Sequence, residues 1–354
     1  MAIIQTLSFV LIGNQILEIK GMWLRYFAIL FTAACWANLI GLNISSGFNS
    51  IVTIYIILPL ILIPQILFSG VVVDFNHMHK KIMTEKYVPF IGDMITSRWA
   101  YEALVVTQFK DNAYEKHLFG TEEKLNSISY ARSYQLPYLR GLAYEAYNLK
   151  VNAKKLPVID KDLSIISNEI YKIEHVHNQK FDEVGWLNID RYDDKVFQSL
   201  SNYFEAFETY LSTQYHQEMK NKDKIYEQIE DQFHNRLALY QIKERYYNDY
   251  LAFLVLNRKE LMEHQEINNE LVRLKDNIYR EPASNIGRAH YFSPHKTLGQ
   301  LKVDTFWFNM LIIWLFTFVF YVLLYFDVLR KLISYVESIR LVRLNNRVRR
   351  VLTQ

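Results

Sequence analysis

Two histidine pairs at i and i+2, His77 with His79 and His175 with His177 in the run Glu174-His-Val-His177, carry the side chain most used to hold transition metals. A metal centre needs three or four converging donors, each steadied by its own hydrogen bonds, and neither pair has an identified third donor. The expectation is surface imidazoles and no metal. Asp190-Arg-Tyr-Asp-Asp194 groups three carboxylates but lacks the glycine turn and distal glutamate of a calcium loop, so it reads as a helix start or a solvated loop. No nucleophile elbow, no H-E-x-x-H and no G-x-x-x-x-G-K-[ST] phosphate cradle occurs in the sequence. Catalytic residues and a cofactor held by this chain are therefore not expected.

The elements that would position any site are set by charge. Tyr26 to Val73 runs 48 residues without Asp, Glu, Lys or Arg, and Thr305 to Phe326 runs 22, in a chain that is 22% charged. A charge at the bilayer centre costs about 2.5–3.5 kcal/mol on insertion scales, so such stretches read as membrane spans of about 20 residues each. The first exceeds one span and is interrupted by Gly41-Leu-Asn-Ile-Ser-Ser-Gly-Phe-Asn-Ser50, which predicts two spans joined by a tight turn. Ala2 to Gly13 is apolar but too short to cross alone and reads as the end of a further span, as in a chain that begins inside a longer membrane protein or is a separately encoded half. The expected organisation is a membrane region 1–73, a soluble domain 74–304 opening with an interfacial segment 85–110, a last span 305–326 and a basic tail 327–354. Cys35, the only cysteine, falls within a span and reads as a packing residue, so the soluble domain holds no disulfide.

Residues 74–304 hold 31 of the 40 Lys and Arg and 34 of the 37 Asp and Glu. The tail carries seven basic residues against two acids, which places it on the cytoplasmic side and puts 74–304 outside the cell, in a multi-pass protein of the plasma (inner) membrane. Within the tail Arg340, Arg343, Arg347, Arg349 and Arg350 alternate with apolar residues and are expected to contact anionic lipid of the inner leaflet. Nucleic-acid binding is not expected of a polytopic membrane chain.

From Trp186 to Glu281 there is neither Pro nor Gly, and apolar residues recur at helical spacing: Leu200, Tyr203, Phe204, Phe207, Tyr210 and Leu211, then Tyr226 to Leu254. These predict long amphipathic helices reversing near Lys220-Asn-Lys-Asp223, as a coiled-coil-like hairpin or bundle. The fold class expected is all-α: a polytopic helical membrane protein with a large helical soluble insertion.

Pro59-Leu-Ile-Leu-Ile-Pro-Gln-Ile-Leu-Phe-Ser-Gly70, followed by Val88-Pro-Phe-Ile-Gly-Asp-Met-Ile-Thr-Ser-Arg-Trp-Ala-Tyr-Glu-Ala103, resembles the permease part of ABC type-2 exporters of the White/G subfamily, and Asp304-Thr-Phe-Trp-Phe-Asn309 is similar to the start of that family's last span. The resemblance covers residues 1 to about 110 and 300–335 and leaves 120–280 unaccounted for. It implies the end of one span and the last three of six, a homodimer or heterodimer around a substrate path, and ATP with Mg bound by a partner cassette, which this chain lacks. Pro59 and Pro64 remove backbone donors and suit a hinge or, equally, a fixed packing kink. Gly70 lets the chain turn after the span. Asn38, Asn43, Gln65 and Asn309 are polar groups at membrane depth, suited to interhelical hydrogen bonds or to lining a path. Arg98, Trp99 and Tyr101 are expected to anchor at the headgroup boundary. The function expected is that of an exporter permease whose external domain docks an envelope protein; the alternative is a membrane-anchored structural or adaptor protein recruiting partners.

Overall fold

Apolar runs nearly free of charge fold as helices at both ends of the chain, in a computed structural model that describes residues 1–48, 50–73, 75, 78, 86–152, 156–233 and 237–335. Of the described residues 71% are helical and 6% lie in strands. In chain order the helices are α1 (Ala2–Ile16), α2 (Trp23–Gly47), α3 (Ile51–Leu67), α4 (Phe90–Asp93), α5 (Thr96–Lys110), α6 (Glu115–Tyr130), α7 (Leu136–Val151), α8 (Leu156–His177), α9 (Asp194–Phe233), α10 (Ala238–Tyr246), α11 (Asp249–Val255) and α12 (Thr305–Tyr325). Two antiparallel hairpins complete it, β1 (His264–Ile267) with β2 (Glu270–Arg273) and β3 (His295–Leu298) with β4 (Leu301–Asp304). The strands amend the all-α expectation.

The chain divides into two compact units. The first comprises the described residues of 1–108, 283–291 and 295–354. Here α2 and α12, the two helices among the described residues long and apolar enough to cross a membrane, pack side by side. Arg25 lies over the Phe306 ring at one end, Trp36 meets Phe320 further along, and Gly47 abuts Leu329 beyond α12. First residues face first residues, so the two helices run in the same direction. Much of their surface, with that of α1 and α3, is large apolar side chain left exposed by the chain itself, including Leu24, Leu42, Trp307, Leu311 and Phe318.

The turn expected at 41–50 is shorter than the sequence suggested. Helix α2 continues to Gly47, and its polar residues are absorbed: the Asn43 amide donates to Leu39 O at 2.8 Å and to Phe320 O at 2.9 Å, and Ser46 Oγ donates to Asn43 O at 3.0 Å. Side chains that bond back to the helix carbonyls need not break it. Helix α3 then runs 17 residues, with Pro59 and Pro64 inside it.

The second unit comprises the described residues of 109–282 with 292–294. Helices α7, α8 and α9 enclose its core, where Leu139, Ile159, Leu163, Ile166, Ile170, Leu200 and Phe204 are at most 1% exposed. Burying a side chain of this size stabilises by about 1.5–3 kcal/mol. Helix α9 spans 40 residues, so the reversal expected at Lys220–Asp223 does not occur. That run holds no breaker, and two of its side chains are tied: Lys222 Nζ lies 2.8 Å from Glu122 Oε1 on α6, and Asn221 donates to Glu218. The β1–β2 turn is made by Asn268 and Asn269, both left-handed with φ +52 and +60, a two-residue geometry that matches strand twist.

Candidate functional site: a buried charge network

In the first unit five segments converge on a network of charges. Helix α5 supplies Arg98 and Glu102 one turn apart, α4 supplies Asp93, the segment before β3 supplies Arg288, β3 supplies Lys296 and α12 supplies Asn309. Helix α5 begins where it does because the Gln65 side chain, at the end of α3, accepts from Ser97 N–H at 3.1 Å, while Ser97 Oγ donates to the Gln65 carbonyl. That joins the end of α3 to the start of α5. Helix α12 is capped by Asp304 Oδ1, which accepts from Phe306 N–H at 2.9 Å.

Glu102 is the hub, with no exposed surface. Its Oε1 accepts from Lys296 Nζ at 2.7 Å; its Oε2 accepts from Arg98 Nη1 at 2.9 Å and Asn309 Nδ2 at 2.9 Å. Arg98 and Lys296 are each 1% exposed. Arg98 also donates to Asp93 Oδ1 at 2.6 Å and to Gly92 O at 3.2 Å, with its guanidinium 3.5 Å from the centre of the Trp99 ring. Arg288 closes the far end, donating to Asp93 Oδ2 at 2.9 Å and to Val88 O at 2.8 Å. Charges removed from water cost several kcal/mol each, repaid only when each is paired and hydrogen-bonded, and here each is.

Burial alone would raise the Glu102 pKa, but the charges of Lys296 and Arg98, with hydrogen bonds from Lys296 and Asn309, outweigh it and hold the carboxyl below its ordinary value. Burial pulls the Lys296 ammonium down, Glu102 opposes it and Arg98 adds to it. Both oxygens of Glu102 are occupied on three sides, so no approach is left for a substrate proton. The arrangement is a clasp: it holds α5 against β3 and against the first turn of α12.

The structure thus brings together Gln65, Arg98, Trp99 and Asn309 from the sequence reading. Arg98 and Trp99 are 1% and 6% exposed and face inward, which corrects their reading as headgroup anchors; Arg98 is spent on ion pairs, and Trp99 Nε1 donates to Asp93 O at 2.9 Å. Tyr101, on the same helix, is half-buried. Gly70 is left-handed, φ +83, and lies under Tyr291, whose hydroxyl donates to Ser69 O at 2.8 Å. Asn43 lies apart, tying α2 to α12. Asn38 and Pro59 are exposed and Pro64 half-buried. Asp93, Glu102, Arg288 and Lys296 were not anticipated; Glu102 at i+4 from Arg98 was the one local signal, and Lys296 lies too far along the chain to be read. Arg340, Arg343, Arg347, Arg349 and Arg350, and His77 with His79, lie outside the described residues.

In the second unit Asp193 Oδ1 accepts from Val196 N–H at 2.9 Å at the start of α9, the helix-start role expected for 190–194. His175 is exposed and His177 half-buried: the His177 ring meets Phe207 edge-on at 5.4 Å, and burial lowers its pKa. Among the described residues no three His, Cys, Asp or Glu side chains converge as metal ligands. Comparison with family models, with curated proteins and with solved structures finds no match to the chain.

Proposed function

We propose that this chain is the membrane permease part of an ATP-driven type-2 ABC exporter, working as a dimer in the plasma (inner) membrane with ATP and Mg bound by a separate or adjoining cassette. The observation that supports the membrane topology of this reading is the parallel packing of α2 and α12. Two neighbouring helices that cross a bilayer in the same direction require an odd number of crossings between them. Helix α3, with 17 uncharged residues and a length of about 26 Å, lies between them in sequence and is at the short end of what spans hydrocarbon. It starts beside the last residues of α2 and ends at Gln65, which binds α5 near the first residues of α12, so it returns in the opposite sense. Three crossings, α2, α3 and α12, then leave 68–304 on one face, outside the cell, where an envelope partner can dock on the helical unit. The buried clasp would make α5, β3 and the start of α12 move as one body between inward- and outward-open states. The exposed apolar surface of α1 and α3 supports contact with lipid and with the second half of the transporter.

Co-purification with a cassette protein encoded beside it, followed by ATPase assay in proteoliposomes, tests the reading. Hydrolysis stimulated over that of the cassette alone is the expected result. A cassette that neither co-purifies nor responds would leave only a membrane-anchored scaffold.

A further inference from the structure

In the second unit the amphipathic stripe of α9 and α10 is not fully used by the fold. Its upper part, Leu200 to Leu211, is core, but Phe233, Leu237 and Tyr240 are 55%, 62% and 65% exposed. Phe233 borders a cleft of about 440 Å³ between the start of α6, the last turns of α9 and α10. The floor is apolar, made by Tyr114, Ile229, Ala238 and Ile242, of which the first three are buried. The rim is cationic: Lys116, His117 and Arg245 line it, and no Asp or Glu does. Lys116 and Arg245 have no ion pair among the described residues; Glu115, next to Lys116, is turned inward toward Glu122, and Glu244, next to Arg245, does not line the cleft. Burial, with the Lys116 charge second, pushes the His117 pKa down, so the fixed charges of the rim are those of Lys116 and Arg245. Ligand pockets typically run about 300–1,000 Å³, with an apolar lining and a few polar groups that fix orientation.

We propose that this cleft binds an organic carboxylate with an apolar, ring- or chain-shaped body, the body seated on Tyr114, Ile229 and Ala238 and the carboxylate held between Lys116 and Arg245. The inference does not depend on the transport reading, since it rests on the second unit alone. It goes to test by calorimetric titration of the full chain in lipid nanodiscs with 2-naphthoate, heats from empty discs being subtracted, and with the neutral isostere 2-naphthol alongside. Saturable naphthoate binding is expected, at least tenfold tighter than naphthol, weakened at least tenfold by the double substitution Lys116→Gln/Arg245→Gln and weakened by salt. Both substituted side chains are exposed, so the variant keeps its fold, which its thermal midpoint checks. Ile229→Asp, placing a charge in the floor, should abolish binding of both probes. Absence of saturable binding, equal affinity for the two probes, or an unchanged affinity in the double variant would each overturn the proposal.

Discussion

Lys296 and Glu102, 194 positions apart in sequence, meet at 2.7 Å with 1% and 0% of their side chains exposed. One ion pair therefore joins β3, which leads into α12, to α5, which follows α3. Removing one member leaves the other charged and buried, which costs about 3–5 kcal/mol, whereas replacing both with apolar groups of similar volume is close to neutral. Glu102→Gln and Lys296→Met should each lower the thermal unfolding midpoint of the detergent-solubilised protein strongly, and the double variant should recover much of the loss. A cycle in which the two effects simply add would mean that the pair is not coupled.

Gly70 cannot be replaced quietly. Its φ of +83 is left-handed, and a Cβ there would stand 2.5 Å from Tyr291 Oη. Gly70→Ala should cost on the order of 1–3 kcal/mol through backbone strain and the clash together. Adding Tyr291→Ala relieves only the clash, so partial rescue, measured as thermal midpoint, separates the two.

Asn43 spans α2 and α12 with one amide. Interhelical hydrogen bonds of this kind are worth about 0.6–2 kcal/mol. Asn43→Leu should reduce stability by that amount and loosen the ends of both helices, seen as faster hydrogen exchange around 43–47; unchanged exchange there would contradict the tie.

The second unit carries its own pH dependence. Burial, with the charge of and a hydrogen bond to Glu122, pushes Glu115 up to about 8, while Lys222 and Lys243 act the other way. Tyr279 donates to Glu122 at 3.0 Å, and Tyr114 neighbours the same cluster. The folded state thus holds a proton that the unfolded chain releases near the ordinary glutamate value, so the stabilisation is complete below about 4.3 and is lost as pH rises toward 8. The urea midpoint of this unit should fall as pH rises across that window, and Glu115→Gln should flatten the slope. A slope unchanged by the substitution would assign the titration to another group.

How much of this was legible in the sequence follows the range of the interactions. Charge-free runs and the Leu200–Leu211 stripe are local patterns, and they located α2, α3, α12 and the core face of α9. Arg98 misled because an arginine beside a tryptophan suits a headgroup boundary and a buried ion pair equally; only Lys296 and Asn309, brought in by folding, decide between them. The β1–β2 hairpin hid in a stretch without Gly or Pro because Asn268 and Asn269 supply the left-handed turn that glycine more often makes.

The reading as a permease requires that α3 cross the bilayer, and site-directed labelling tests this most directly. With Cys35 replaced by Ala, Ser50→Cys and Ser212→Cys are each treated in intact cells with a membrane-impermeant maleimide. The account predicts modification at position 212 in intact cells and at position 50 only after the inner membrane is opened. Labelling of both positions from the same side would contradict it.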